Sequence, residues 1–317
     1  MTAIQPTVLP SSDLAGDVLL NPHYLDTRRR INTLLDRYVA IDALSDCLSG
    51  IQAQFDAPQA RRWERFKLRQ IHPDQIIGIR PELFVQVLAS AAEVEDPIRD
   101  YARESYHYLQ PIHPQMARFM GGDIAPDGKA IALGVWEREE RQHGPLFRKL
   151  HEKLSGQILQ VVPNTVDGYQ ASTHPVEQAH RHTLGRISTE WGALSVYLWL
   201  MAHSTGELQQ AIAQPLQDEI GHLAKFWGFS RWAFAAGFLH QLSGTTRNLL
   251  RLSQHHRGER THGQDLFAMH LDRLQPSVEI GFTLARVMVY MRAWNRELTG
   301  SYLRHLFGGN RYWLQSA

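Results

Sequence analysis

Two stretches decide how this chain reads: Trp136-Glu137-Arg138-Glu139-Glu140-Arg141-Gln142-His143-Gly144 and Asp218-Glu219-Ile220-Gly221-His222. Each holds a Glu and a His three residues apart, so on a helix both side chains leave the same face one turn apart. Two such helices facing each other, with one further Glu from each of two more, make a carboxylate-rich cage for a pair of metal ions.

The surroundings of these motifs are those of a soluble helical protein. Hydrophobic residues make up 43% of the 317 and charged residues 21%, enough for a sizeable core. The formal net charge of +1 argues against a nucleic-acid binder, which carries a strong basic excess. The one cysteine, Cys47, excludes an internal disulfide framework or a thiolate cluster and suits a reducing cytosol. The apolar run from Trp191 to Ala202 is too short to span a bilayer, and residues 1–20 are a polar tail without the apolar core of a signal peptide. A soluble, cytoplasmic protein is expected.

Helical periodicity dominates the rest, and strand alternation is absent. Helical blocks are expected at Pro22–Gln54, at the basic, aromatic stretch Arg61–Gln70, and from Pro81 to about Ala92. A helix from Ile98 to Met120, bent by Pro111 and Pro114, should end at Gly121-Gly122, and its partner should run from Gly128 to Leu159. After a polar connection, a second pair should cover Pro175–His203 and then Gly206 to about Trp227, where Gly228 can stop it. Ser230–His256, Gly263–Leu274 and Pro276–Leu314 complete the helices. Two hairpins joined by one long crossover is the connectivity of a ferritin-like four-helix bundle. The expected architecture is all-α, a core bundle at about 97–228 with additional N- and C-terminal helices, in one domain covering 21–317.

Spacing alone does not choose the ligands. With 17 histidines in the chain, chance predicts about one Glu-x-x-His, and there are five, at Glu104, Glu140, Glu177, Glu219 and Glu259. In an antiparallel hairpin, residues equidistant from the turn lie at the same height. Glu104 and Glu140 are centred inside Gly121-Gly122, and Glu190 and Glu219 between Ser204 and Thr205. Glu177 would be level with Trp232 and gains no carboxylate partner, and Glu259/His262 lies in a polar, glycine-flanked stretch. The arithmetic selects Glu104, Glu140, His143, Glu190, Glu219 and His222. Four carboxylates and two imidazoles suit two iron ions, or manganese, with positions open for O₂. Unneutralised in a core, four such charges would be very costly. Asp218 and Glu139, each preceding a ligand Glu, are candidates to accept hydrogen bonds from the ligand histidines, and Trp136 belongs to their apolar surroundings.

The pattern W-x-x-E-E-x-x-H-G followed by D-E-x-x-H, each preceded by a lone Glu, resembles the soluble acyl-carrier-protein desaturases over about residues 100–225. These ferritin-like di-iron proteins use O₂ and ferredoxin electrons to oxidise a fatty-acyl chain. The resemblance implies the same six metal ligands, desaturation of a fatty-acyl thioester, a ferredoxin-type electron donor, acyl carrier protein as a partner, and a homodimer. It also places Asp218 on a hydrogen-bonded route that carries electrons inward. The chain departs from the family at Gly221, where a basic residue is usual, and at Ala193, where a small hydroxyl is usual. The alternatives are another di-iron oxygenase, acting on amines, aldehydes or unactivated carbon, and a non-catalytic metal-binding relative that stores metal or only keeps the fold. A long apolar tunnel beside the metals would favour acyl oxidation, and a short polar pocket a smaller substrate.

Overall fold

The computed structural model describes residues 22–95, 98–125, 129–161, 169–234, 240, 242–248 and 266–308. The chain is predominantly helical. Helices α1 (Pro22–Tyr38), α2 (Ile41–Ser49) and α3 (Ile51–Asp56) come first. They are followed by α4 (Pro81–Val94), α5 (Ile98–Leu109) and α6 (Pro114–Gly121). A short antiparallel hairpin, β1 (Asp123–Ile124) with β2 (Ala130–Ala132), leads into α7 (Val135–Glu140) and α8 (His143–Ser155). The long pair α9 (Pro175–Ala202) and α10 (Gly206–Phe234) follows, then α11 (Leu266–Asn295) and α12 (Gly300–Phe307). No helix among the described residues is long and apolar enough to cross a membrane.

The centre is formed by α9 lying along α10 and α4 lying along α8. Pro81 opens α4 at a position that needs no N–H, with Glu82 in the first turn favoured by the helix dipole. Phe84, Leu88 and Ala91 recur at helical spacing and are buried; Phe84 and Leu88 are fully so, worth roughly 1.5–3 kcal/mol each. The helix ends at Val94, with Glu95 as its C-terminal cap residue. Its last turn delivers Glu95 to the middle of the molecule.

The helix packed along α8 is therefore α4, and the expected Ile98–Met120 helix is two helices. His113 caps α6, accepting from Met116 N–H at 3.0 Å, with Pro114 at the first helical position. The hairpin was not anticipated. Gly122 forces it: its φ is +80°, and a Cβ there would sit 1.9 Å from the Ala132 carbonyl oxygen. Hence the helical segment carrying the first motif begins at Val135, not Gly128, and it is two helices rather than one, with Glu140 ending α7 and His143 opening α8.

Two further expectations change. Gly228 does not stop α10, which runs to Phe234. A Cβ at Gly228 would lie 2.7 Å from Leu48 Cδ1, so the glycine lets α2 approach closely. The Arg61–Gln70 stretch is not a helix but an irregular strap closed by a short 3₁₀ turn at Leu68–Gln70. Its backbone N–H groups at Arg61, Glu64 and Lys67 donate to the side chains of Glu139, Gln214 and Glu207, which replace helical acceptors. Toward the C-terminus, α11 runs as one helix through Pro276 rather than starting there, and Glu259/His262 lies outside the described residues.

Candidate metal centre

Four buried carboxylates and two buried imidazoles converge between α4, α7–α8, α9 and α10. They form two overlapping groups, Glu95, Glu140, His143, Glu219 and Glu140, Glu190, Glu219, His222, within each of which the potential ligand atoms lie within 4.8 Å of one another. Glu140 and Glu219 belong to both. His143 Nδ1 lies 3.2 Å from Glu140, 3.3 Å from Glu219 and 3.9 Å from Glu95. His222 Nδ1 lies 2.9 Å from Glu140, 3.5 Å from Glu190 and 3.9 Å from Glu219. These approaches are close but badly aligned. Both Nδ1 atoms, with Glu140 Oε1 and Glu219 Oε2, are buried without a hydrogen bond.

Outward-facing atoms of the same rings are satisfied, and crosswise. His143 Nε2 is bonded to Asp218 of the second motif at 3.1 Å, and His222 Nε2 to Glu139 of the first at 2.8 Å. Each histidine thus has one nitrogen anchored to an acid and the other aimed at the carboxylate cluster, the arrangement metal-binding histidines adopt. Trp136 Nε1 donates to Glu190 at 3.3 Å, and the Tyr197 hydroxyl donates to Glu95. Outside Asp218 stand Arg61 Nε at 2.6 Å and Trp63 Nε1 at 2.8 Å, and the Trp63 ring stacks on His143 with centroids 6.0 Å apart.

The electrostatics are those of a site short of cations. Burial, then the charge of Glu140, pushes Glu95 up to about 7. Burial with Glu140 and Glu190 alongside takes Glu219 well above the usual carboxylate range. Burial also opposes ionisation of Glu140, but the flanking histidines outweigh it and hold Glu140 below that range. His143 and His222 go well above an ordinary imidazole, because the facing carboxylates outweigh desolvation. The cluster gathers protons where two divalent ions would supply the charge. Lys225, one turn beyond Gly221, adds a buried cation, its ammonium 3.6 Å from where a Gly221 Cβ would be; burial lowers its pKa.

Of the six residues picked from the sequence, the fold brings five together: Glu140, His143, Glu190, Glu219 and His222. Glu104 is not among them, and Glu95 occupies the remaining place. The height argument failed because residues 98–134 are an excursion rather than the arm of a hairpin. On α5 the buried stripe is Ile98, Ala102, Ser105 and Leu109, and Glu104 lies off it, partly exposed. A signal for Glu95 was available: Phe84, Leu88, Ala91 and Glu95 continue one helical stripe, so Glu95 is a charge at a core position. Tyr197, two turns beyond Glu190 on the buried face of α9, could be read similarly. The strap contacts of Arg61 and Trp63 had no sequence signal.

Two cavities flank the hairpin. The larger, about 310 Å³, is lined by Arg99, Arg103 and Arg141, by the buried Glu137, and by apolar Ile124 and Leu133. Glu137 is one turn before Glu140 on α7, and Arg141 pairs with it at 3.1 Å. Protein-family models, curated proteins and solved structures yield no match to this chain.

Proposed function

We propose that this protein is an O₂-dependent di-iron oxidoreductase with a ferritin-like bundle, and that it desaturates a fatty-acyl thioester. The observation that carries the reading is the pair of overlapping four-ligand groups with inward-facing donors lacking hydrogen-bond partners. In this reading Glu95 and His143 would hold one ion and Glu190 and His222 the other, with Glu140 and Glu219, which belong to both groups, available to each. Iron bound there would supply O₂ activation and the oxidising power for an unactivated C–H bond.

The chain's own residues do the rest. Asp218 and Glu139 fix the imidazoles, Trp136 and Tyr197 hold Glu190 and Glu95, and buried Ile187, Leu194, Leu216 and Leu223 help keep water from the cluster. The acyl substrate, the ferredoxin-type donor, the carrier-protein partner, the dimer and the cytoplasmic location rest on the resemblance of the two motifs and on composition.

A second reading, an oxygenase of a compact substrate, is favoured by one observation: the cavity beside α7, about 310 Å³, is lined by three arginines and fits a small anionic molecule. One experiment decides between them. Iron-loaded protein, reduced anaerobically and exposed to O₂ with acyl carriers or with small carboxylates and amines, is analysed by mass spectrometry. Loss of two hydrogens from an acyl chain supports desaturation, and gain of oxygen by a small substrate supports the second reading. Fewer than about 1.5 metal atoms per chain would sink both, because a two-ion site needs two ions.

A further inference from the structure

We propose that Arg61 is the positioning residue for both histidines of the centre, acting on each through a different part of itself. The inference rests on the dimetal reading above. The backbone N–H of Arg61 donates to Glu139 Oε1 at 2.6 Å, and Glu139 Oε2 is bonded to His222 Nε2 at 2.8 Å. The guanidinium Nε of the same residue donates to Asp218 Oδ1 at 2.6 Å, and Asp218 Oδ2 is bonded to His143 Nε2 at 3.1 Å. Each acid gives one oxygen to Arg61 and the other to its histidine, and the histidine-facing oxygen of Asp218 also accepts from Trp63 Nε1 at 2.8 Å. A carboxylate held at both oxygens has its plane fixed, and so does the ring bonded to it. The guanidinium is in turn anchored to the Gln214 carbonyl, next to the proline inside α10. Its side chain is 27% exposed while Asp218 is fully covered, so Arg61 is the lid on this side of the centre.

The division of labour has a consequence that a merely structural strap would not produce. A side-chain substitution frees Asp218 Oδ1, leaving Asp218 held only through its other oxygen by Trp63, and keeps the backbone hold on Glu139. Arg61→Met should therefore weaken the ion bound by His143 and spare the one bound by His222.

The test titrates metal-free protein with Co(II) alone, following visible absorption and competition with a chelator. Wild type should take two equivalents. Arg61→Met should take one with unchanged affinity and one weakened about 10–100-fold, the range usual for losing an outer hydrogen-bond partner. Glu139→Gln, which can accept from Arg61 N–H but not from His222, should weaken the other equivalent. Asp218→Asn combined with Arg61→Met should cost no more than the larger single effect, because both act through His143. Arg62→Met, at the exposed neighbour in the strap, should change neither equivalent.

Equal weakening of both equivalents in Arg61→Met would mean the strap acts only by holding the fold together, and would overturn the proposal. So would unchanged binding of both. In either case two equivalents in wild type leave the dimetal reading standing. A wild-type chain that takes no Co(II) overturns both.

Discussion

Replacing Glu95 by Gln should make the metal-free protein more stable while removing one candidate metal ligand. The usual carboxylate value is 4.5, and burial beside Glu140 pushes Glu95 up to about 7. A group whose folded pKa is raised contributes stability below its unfolded value and loses it as pH rises through its folded value. Metal-free wild type should therefore weaken between about pH 4.5 and 7 on account of this group. At 1.36 kcal/mol per pKa unit the loss is of order 3 kcal/mol, and it is complete by about pH 8. Glutamine keeps the shape and an acceptor for the Tyr197 hydroxyl and cannot ionise. The assay is urea denaturation with chelator present, for wild type and Glu95→Gln at pH 5 and pH 8. The variant's advantage should be small at pH 5 and approach a few kcal/mol at pH 8. Glu104→Gln, partly exposed and off the cluster, should show no such pH-dependent difference. An advantage for Glu95→Gln that is the same at both pH values would refute the placement of Glu95 in a cation-deficient cluster.

Metal itself should reverse the pH effect in wild type: saturation at about 100 times the dissociation constant adds about 2.7 kcal/mol per site, seen as a rise in Tm that is larger at pH 8 than at pH 5. Gly122→Ala places a Cβ on the Ala132 carbonyl at a left-handed φ, and should cost at least about 2 kcal/mol in chemical denaturation while leaving helix content unchanged. Away from the centre, the fully buried Glu279 accepts from Trp199 Nε1 at 2.7 Å and bonds His203 Nε2 at 2.9 Å. His203→Ala should destabilise by about 3 kcal/mol without changing metal stoichiometry; a loss under about 1 kcal/mol would show that the pair is not a structural anchor.

The second half of the centre was legible because its geometry is local. In α9 and α10, Glu190, Glu219 and His222 follow from helical periodicity and a short turn whose midpoint sets the height. In the first half Glu140 and His143 were legible but their carboxylate partner was not, because α5, α6 and the β hairpin begun at Gly122 lie between α4 and the α7–α8 segment that face each other. A count of residues from a turn carries no information once the chain leaves the hairpin. The same holds for the strap. Residues 61–69 look like a basic helix when only their own spacing is considered, yet their backbone N–H groups find acceptors on α7 and α10 that are 78 to 150 residues away.

The sequence by itself determined the helical class and the two Glu-x-x-His faces, because side-chain period and ligand chemistry are properties of a few neighbouring residues. It also marked Glu139 and Asp218 as the acids next to them. Only the tertiary structure decided that the fourth carboxylate is Glu95 and that each histidine is anchored by the other motif's acid. It alone places Arg61 over both acids. Those facts depend on which helices pack together, and packing is decided by burial summed over the whole chain, not by any one motif.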